Sequence, residues 1–159
     1  MRITIACAGK LKEKYLTAGV AEYMKRLRPY AQVEIKEISE EKMPAEPSDA
    51  EKKQILEREG KRLLALVPEN SFLFVLDVYG KAISSEELAA KIADLGLKGE
   101  SNITFLIGGA FGLSEEVRQR ADFRLSFSPM TFTHQMIRLL LVEQIYRAFK
   151  INRHEKYHW

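Results

Sequence analysis

The 159-residue sequence predicts an α/β protein built on a parallel sheet with helices on both faces. Three observations lead there. Strand-like and helix-like segments alternate five times along the chain. Two of the strand-like segments, F-L-F-V-L at 72–76 and I-T-F-L-I at 103–107, are almost continuously apolar, as expected of strands covered on both faces. No linker, internal repeat or low-complexity segment interrupts the chain, so residues 1–159 are expected to form a single domain.

The elements follow in order. Met1 to Ala8 alternates and reads as a strand, with Ile3, Ile5 and Cys7 on one face. That position predicts a buried, inert thiol. Gly9 ends the strand, and G-K-L-K-E-K opens a basic loop. Residues 13–28 suit a helix with Leu16, Val20, Tyr23, Met24 and Leu27 on one side, stopped by Pro29. Ala31 to Ile38 is a second strand, followed by a loop with two prolines. Ser48 and Glu51 have capping-box spacing and open a helix to about Val67. After the strand at 72–76, Asp77 to Lys81 reads as a loop. Ser84 and Glu87 repeat the capping box before a helix carrying Leu88, Ile92 and Leu95. The strand at 103–107 leads to a short helix capped by Ser114, with Glu115 and Glu116 in the first turn, where the helix dipole favours acids. R-L-S-F-S at 124–128 is a last strand, 133–150 a last helix, and 151–159 a polar and aromatic tail.

Composition narrows the function classes. Hydrophobic residues at 46% permit a real core, yet no apolar run is long enough to span a bilayer. The first apolar segment is too short for a signal peptide, so a cytoplasmic protein with no membrane partner is expected. A single cysteine cannot form an internal disulfide, and three scattered histidines make no zinc motif, so no metal is expected. Net charge is +3, but residues 1–28 carry seven Lys/Arg against two acids. Basic ends on a nearly neutral chain suit contact with a polyanion over part of the surface, and suit ordinary solvated faces equally well.

Four stretches carry chemistry. Leu76-Asp77-Val78-Tyr79-Gly80 follows a strand and, taken alone, is an ordinary connection. Gly108-Gly109-Ala110-Phe111-Gly112 removes side chains where a backbone could approach a ligand. Its spacing matches neither the dinucleotide fingerprint nor the P-loop, and such a turn serves structure as readily as binding. Phe127-Ser128-Pro129-Met130-Thr131-Phe132 could hold a flat heterocycle through main-chain hydrogen bonds, or simply start a helix. In open α/β sheets, ligands bind beyond the carboxyl ends of the strands, so the last two loops look like two walls of one pocket. The final helix sets His134 and Arg138 four residues apart on one face and is apolar over much of its circumference. Such a helix is buried or packs on a second subunit. The terminal Tyr157, His158 and Trp159 form either a frayed end or an RNA-facing grip.

Together, L-D-V-Y-G-K, I-G-G-A-F-G-L-S, L-S-F-S-P-M-T-F-T-H-Q-M-I-R and V-E-Q-I-Y-R-A-F-K-I, with a final Y-H, resemble the ribosomal RNA large-subunit methyltransferase H family. That family belongs to the SPOUT class of knotted methyltransferases, and the resemblance covers essentially the whole chain. It implies a homodimer with a C-terminal trefoil knot, a rare exception to unknotted folding. It also implies S-adenosylmethionine as methyl donor and N3 of a pseudouridine in 23S rRNA, within the assembled ribosome, as acceptor. On matching positions, the cofactor would lie against Leu76, Gly108, Gly109, and Phe127, Ser128, Pro129, Met130, Thr131 and Phe132. Candidates for assisting proton loss from the imide are His134, Arg138, Tyr157 and His158, with Arg147 and Arg153 facing RNA. The chain departs from the family pattern at Thr133, commonly Pro, at His154 and Lys156, commonly Gly and Pro, and at Trp159, usually basic. Three other readings remain at this point: a related SPOUT enzyme acting on tRNA, a non-catalytic ribosome-binding protein of the same fold, and a generic α/β ligand-binding domain, which is all that spacing alone licenses.

Overall fold

Side chains that alternate along each strand set up two cores, one on either face of one sheet. The computed structural model describes residues 1–159. The strands are β1 (Arg2–Ala8), β2 (Gln32–Ile38), β3 (Phe72–Ala82), β4 (Asn102–Ile107) and β5 (Phe123–Ser126). The helices are α1 (Lys14–Leu27), α2 (Asp49–Leu64), α3 (Ser85–Leu97), α4 (Glu115–Arg120) and α5 (Met136–Asn152). The strand order is β2-β1-β4-β3-β5, and every pairing is parallel.

Ile3, Ile5 and Cys7 of β1, with Phe74 and Phe105, face α1, α3 and α5. Ala6, Ala8, Leu73, Val75 and Leu106 face α2 and α4. The period of two thus explains why these strands are apolar throughout. Cys7 is fully buried, and burial pushes its thiol up to about 12, which keeps it protonated and unreactive at neutral pH. The larger core centres on Phe74, stacked on Phe105 at 4.8 Å and edge-on to Phe123 at 5.7 Å.

Helix starts follow the sequence closely. Ser48 and Ser84 each form the complete reciprocal box, with Glu51 and Glu87. Ser114 accepts from the Val117 N–H at the head of α4. Leu141, Val142, Ile145 and Ala148 of α5 are fully buried, between α1 and α3.

The structure moves four boundaries. β3 runs on to Ala82 instead of ending at Leu76. Leu76 and Lys81 both oppose Leu125, so residues 77–80 bulge out between two paired stretches. Gly80 permits the return, because a Cβ there would lie 2.5 Å from the Arg124 carbonyl oxygen. β5 stops at Ser126 rather than 128, where the Ser126 hydroxyl donates to Ser128 O at 3.3 Å and bends the chain. α2 ends at Leu64, and residues 65–67 close it with tight turn bonds. α5 becomes regular at Met136 rather than 133. Thr133 nevertheless fastens its first turn, accepting the Met136 N–H on its hydroxyl at 3.1 Å and the Ile137 N–H on its carbonyl at 3.0 Å.

Beyond α5, His154 adopts φ +55, the one non-glycine residue with positive φ. Helices commonly end in this left-handed conformation, usually on glycine. A residue there that replaces the more common Gly is therefore strained locally, yet the turn closes, with the Glu155 N–H on Lys150 O at 3.0 Å.

Replacing Phe74 by Ala should cost about 3–5 kcal/mol, through lost burial and the cavity left behind. Urea unfolding of the variant against the parent measures this.

Candidate functional site

The order of strands makes β4, β3 and β5 neighbours, so the turns beyond their carboxyl ends stand side by side. A cleft of roughly 340 Å³ opens between them. That is the lower end of the range for small-molecule sites. Leu76, Asp77, Val78 and Tyr79 form one wall, and Gly108 to Leu113 another. Phe127, Ser128, Met130, Thr131 and Phe132 form the third, with His134 and Ile137 from the start of α5.

Each wall has a local reason for its shape. In the second, a Cβ on Gly108 would lie 2.4 Å from the Gly112 carbonyl oxygen, so only glycine lets the turn double back. Gly112 closes that turn at φ +91, and its N–H reaches Gly109 O at 3.1 Å. In the third, the Ser128 hydroxyl accepts the Met130 N–H at 2.9 Å. It therefore shapes its own loop, while Met130 and Phe132 stay exposed at the rim.

The first wall is braced by charge. Asp77 is buried and accepts from the Tyr79 N–H at 3.1 Å, from Arg118 Nε at 3.1 Å and from Arg124 Nε at 3.0 Å. Burial raises its carboxyl, but the Tyr79 N–H and the two guanidinium groups outweigh that, and the net effect holds it below the ordinary carboxylate value. Arg118 also donates to Leu113 O at 3.1 Å, which ties the first wall to the second.

Of the sequence-predicted residues, the structure brings Leu76, Gly108, Gly109, Phe127, Ser128, Met130, Thr131, Phe132 and His134 to one cleft. Pro129 is exposed and outside the lining, since the loop turns its ring to solvent. Arg138 is fully buried below the cleft, where it donates to Glu37 at 2.8 Å and to Gly9 O at 3.0 Å. In this chain it anchors the ends of β1 and β2 and is closed to a ligand. His134 lies before the regular part of α5, and its Nε2 is 2.8 Å from Glu40 without hydrogen-bond alignment.

The remaining candidates lie away from their own chain's cleft. Tyr157 donates to Glu143 at 2.8 Å and lies 3.2 Å from the Tyr23 hydroxyl. Burial, Tyr23 and Glu143 raise its phenol above the ordinary value. His158 sits between Arg147, at 3.1 Å, and Glu86, at 2.7 Å. Arg147 also donates to Glu143 at 2.6 Å, and Arg153 lies over the Tyr30 ring at 4.6 Å. The tail is thus docked on α5 and α3 rather than frayed. Sequence reasoning missed Arg118 and Arg124 as partners of Asp77; they stand 41 and 47 residues away, beyond any local pattern.

Fold and cleft together define a doubly wound α/β protein with a small-molecule-sized cleft at the carboxyl ends of adjacent parallel strands. Comparison with known proteins narrows the class. Residues 1–158 match the family model described as predicted SPOUT methyltransferase. The chain is 54% identical over 158 residues to a ribosomal RNA large subunit methyltransferase H from Halothermothrix orenii, and 51% identical to one from Enterococcus faecalis. It is 50% identical to a putative ribosomal RNA large subunit methyltransferase H from Methanococcus maripaludis. Each match covers 99% of this chain and 99% of the relative. The chain belongs to the SPOUT methyltransferase family.

A carboxyl with a lowered folded value stabilises fully above its unfolded value, and that contribution disappears as pH falls through the folded one. Asp77→Asn should therefore cost roughly 1–3 kcal/mol near neutral pH and lose less stability than the parent on acidification below about pH 4. Urea midpoints across a pH series check both.

Proposed function

We propose that this chain transfers a methyl group from S-adenosylmethionine to N3 of a pseudouridine in 23S rRNA of the large ribosomal subunit. The observation that carries the reading is the single cleft formed by three backbone turns, in a chain that shares half its residues with named rRNA methyltransferases along its whole length. The cleft suits the donor. Its walls are mostly apolar, with glycine backbone on one side and Met130, Phe132 and Tyr79 at the rim, as a flat base with a polar edge requires. Leu76, Gly108, Gly109 and the 127–132 loop would hold it. We also propose that the C-terminal segment is knotted, as in the class, and that the protein works in the cytoplasm.

When bound, S-adenosylmethionine supplies a methyl group already activated on a sulfonium. The chain's own work is then mostly alignment. The three walls orient the ligand and exclude water. The acceptor imide must lose its proton as it attacks, so a base or cation near the mouth assists. His134 is the candidate group that this chain brings to its own cleft. Tyr157 and His158 are assigned to the partner's cleft, because each chain holds its tail away from its own. Arg147 and Arg153 would pair with RNA phosphate. The active form is accordingly a homodimer with shared sites, and α5, apolar around much of its surface, is its natural contact.

Mass mapping of rRNA and tRNA nucleosides, with and without the gene product, tests the reaction. The expected result is one 23S rRNA pseudouridine heavier by a methyl group only when the protein is present. A change confined to tRNA, or no change, would refute the assignment. Mixing a tail-deleted chain with a Gly108→Val chain tests the sharing. Each hybrid dimer should recover about one working site, roughly half the activity of a normal dimer, because one cleft and one tail remain intact. No recovery would count against shared sites.

A further inference from the structure

Glu59 is a buried acid that the reaction as described does not use. It lies on the inward stripe of α2, between Ile55 and Leu63 at four-residue spacing, where an apolar residue is the rule. Only 6% of it is exposed. No cation pairs with it; Arg58 and Arg62, its neighbours on α2, turn to Glu41. Its hydrogen bond is to the Gly109 N–H, which reaches Oε1 at 3.0 Å. Burial raises its carboxyl above the ordinary carboxylate value, with Glu40 and Glu41 adding to the rise and the Gly109 bond only partly offsetting it. An unpaired buried carboxylate is costly, so its retention calls for a function.

The neighbouring glycine points the same way. A Cβ on Gly60 would lie 2.4 Å from the Ser114 hydroxyl oxygen, so α2 presses against both ends of the 109–114 turn. Glu59 holds the first residue of that turn and Gly60 lets α2 approach its last. A Cβ on Gly109 would lie 2.5 Å from Glu59 Oε1, so the carboxyl group sits directly against this glycine.

The direction of the bond matters most. Glu59 is absent from the cleft lining although it touches Gly109, so it approaches the turn from behind. In a planar trans peptide the N–H and the preceding C=O point opposite ways, and the chain has no cis bonds. We propose that Glu59 is a positioning residue for the cleft. By drawing the Gly109 N–H backward, its carboxylate turns the Gly108 carbonyl into the cleft, as an acceptor for an N–H or O–H donor on the bound ligand. This rests on the cleft binding S-adenosylmethionine, as proposed above.

Calorimetry with S-adenosylmethionine on the parent, Glu59→Ala and Glu59→Gln tests it. Loss of the acceptor that holds the Gly109 N–H predicts a Kd raised roughly tenfold in Glu59→Ala, with kcat at saturating donor within about threefold of the parent. Glu59→Gln keeps an acceptor oxygen and should stay within about threefold in Kd. Glu59→Ala binding as tightly as the parent, or Glu59→Gln as poorly as Ala, overturns the proposal. Hydrogen exchange of the Gly109 amide in the parent is the second measurement, independent of any variant's folding. Strong protection is expected, and exchange at a free-loop rate refutes the anchor. A parent that binds no donor while Gly109 stays protected would sink the proposed function and the ligand-facing role together, leaving only the structural contact.

Discussion

Everything at the site depends on strand order. Because β3 lies between β4 and β5, three chain turns that are far apart in sequence leave the sheet side by side at its carboxyl edge. Backbone N–H and C=O groups beyond a strand end have lost their ladder partners, so such an edge is rich in unspent hydrogen-bonding capacity. Here one turn contains three glycines and another is bent by serine hydroxyls onto its own backbone, so main chain rather than bulky side chain comes close to the cleft. The helices on both faces bury the sheet and fix that order.

Charge then locks the turns in place. Asp77 gathers Arg118 and Arg124 and thereby joins β3, α4 and β5 at one wall. Arg138 gathers Glu37 and Gly9 and joins β1, β2 and α5 below the cleft. Buried ion pairs contribute little net stability relative to well-packed apolar groups, but removing one partner is severe. Their use here fits a need for one fixed geometry, since misplacing an aligned donor and acceptor by a fraction of an ångström costs rate. The docked tail is a third charged assembly, built on Glu143, Tyr157, Arg147 and His158.

Much of this was legible in the sequence. Both capping boxes sit where the Ser and Glu spacing put them, and the faces of Ile3, Ile5 and Cys7 follow from period two. The cleft walls were readable because glycine and proline loops after apolar runs mark strand ends. What escaped was non-local. The continuation of β3 past Leu76 depends on a slipped register with β5, which appears only once the two strands pair. Arg138 reads as a site residue because it shares a face with His134; its burial depends on Glu37, 101 residues away. The exposed Pro129 and the docked tail likewise reflect tertiary neighbours rather than local pattern.

The most direct measurement of the central claim is a crystal structure of the protein with S-adenosylhomocysteine, the product of methyl donation. The adenosine should lie between Leu76, the Gly108–Gly109 turn and Met130, with backbone groups meeting its polar edge. Adenosine bound at another place on the surface, or crystals grown at saturating ligand that hold none, would contradict the account.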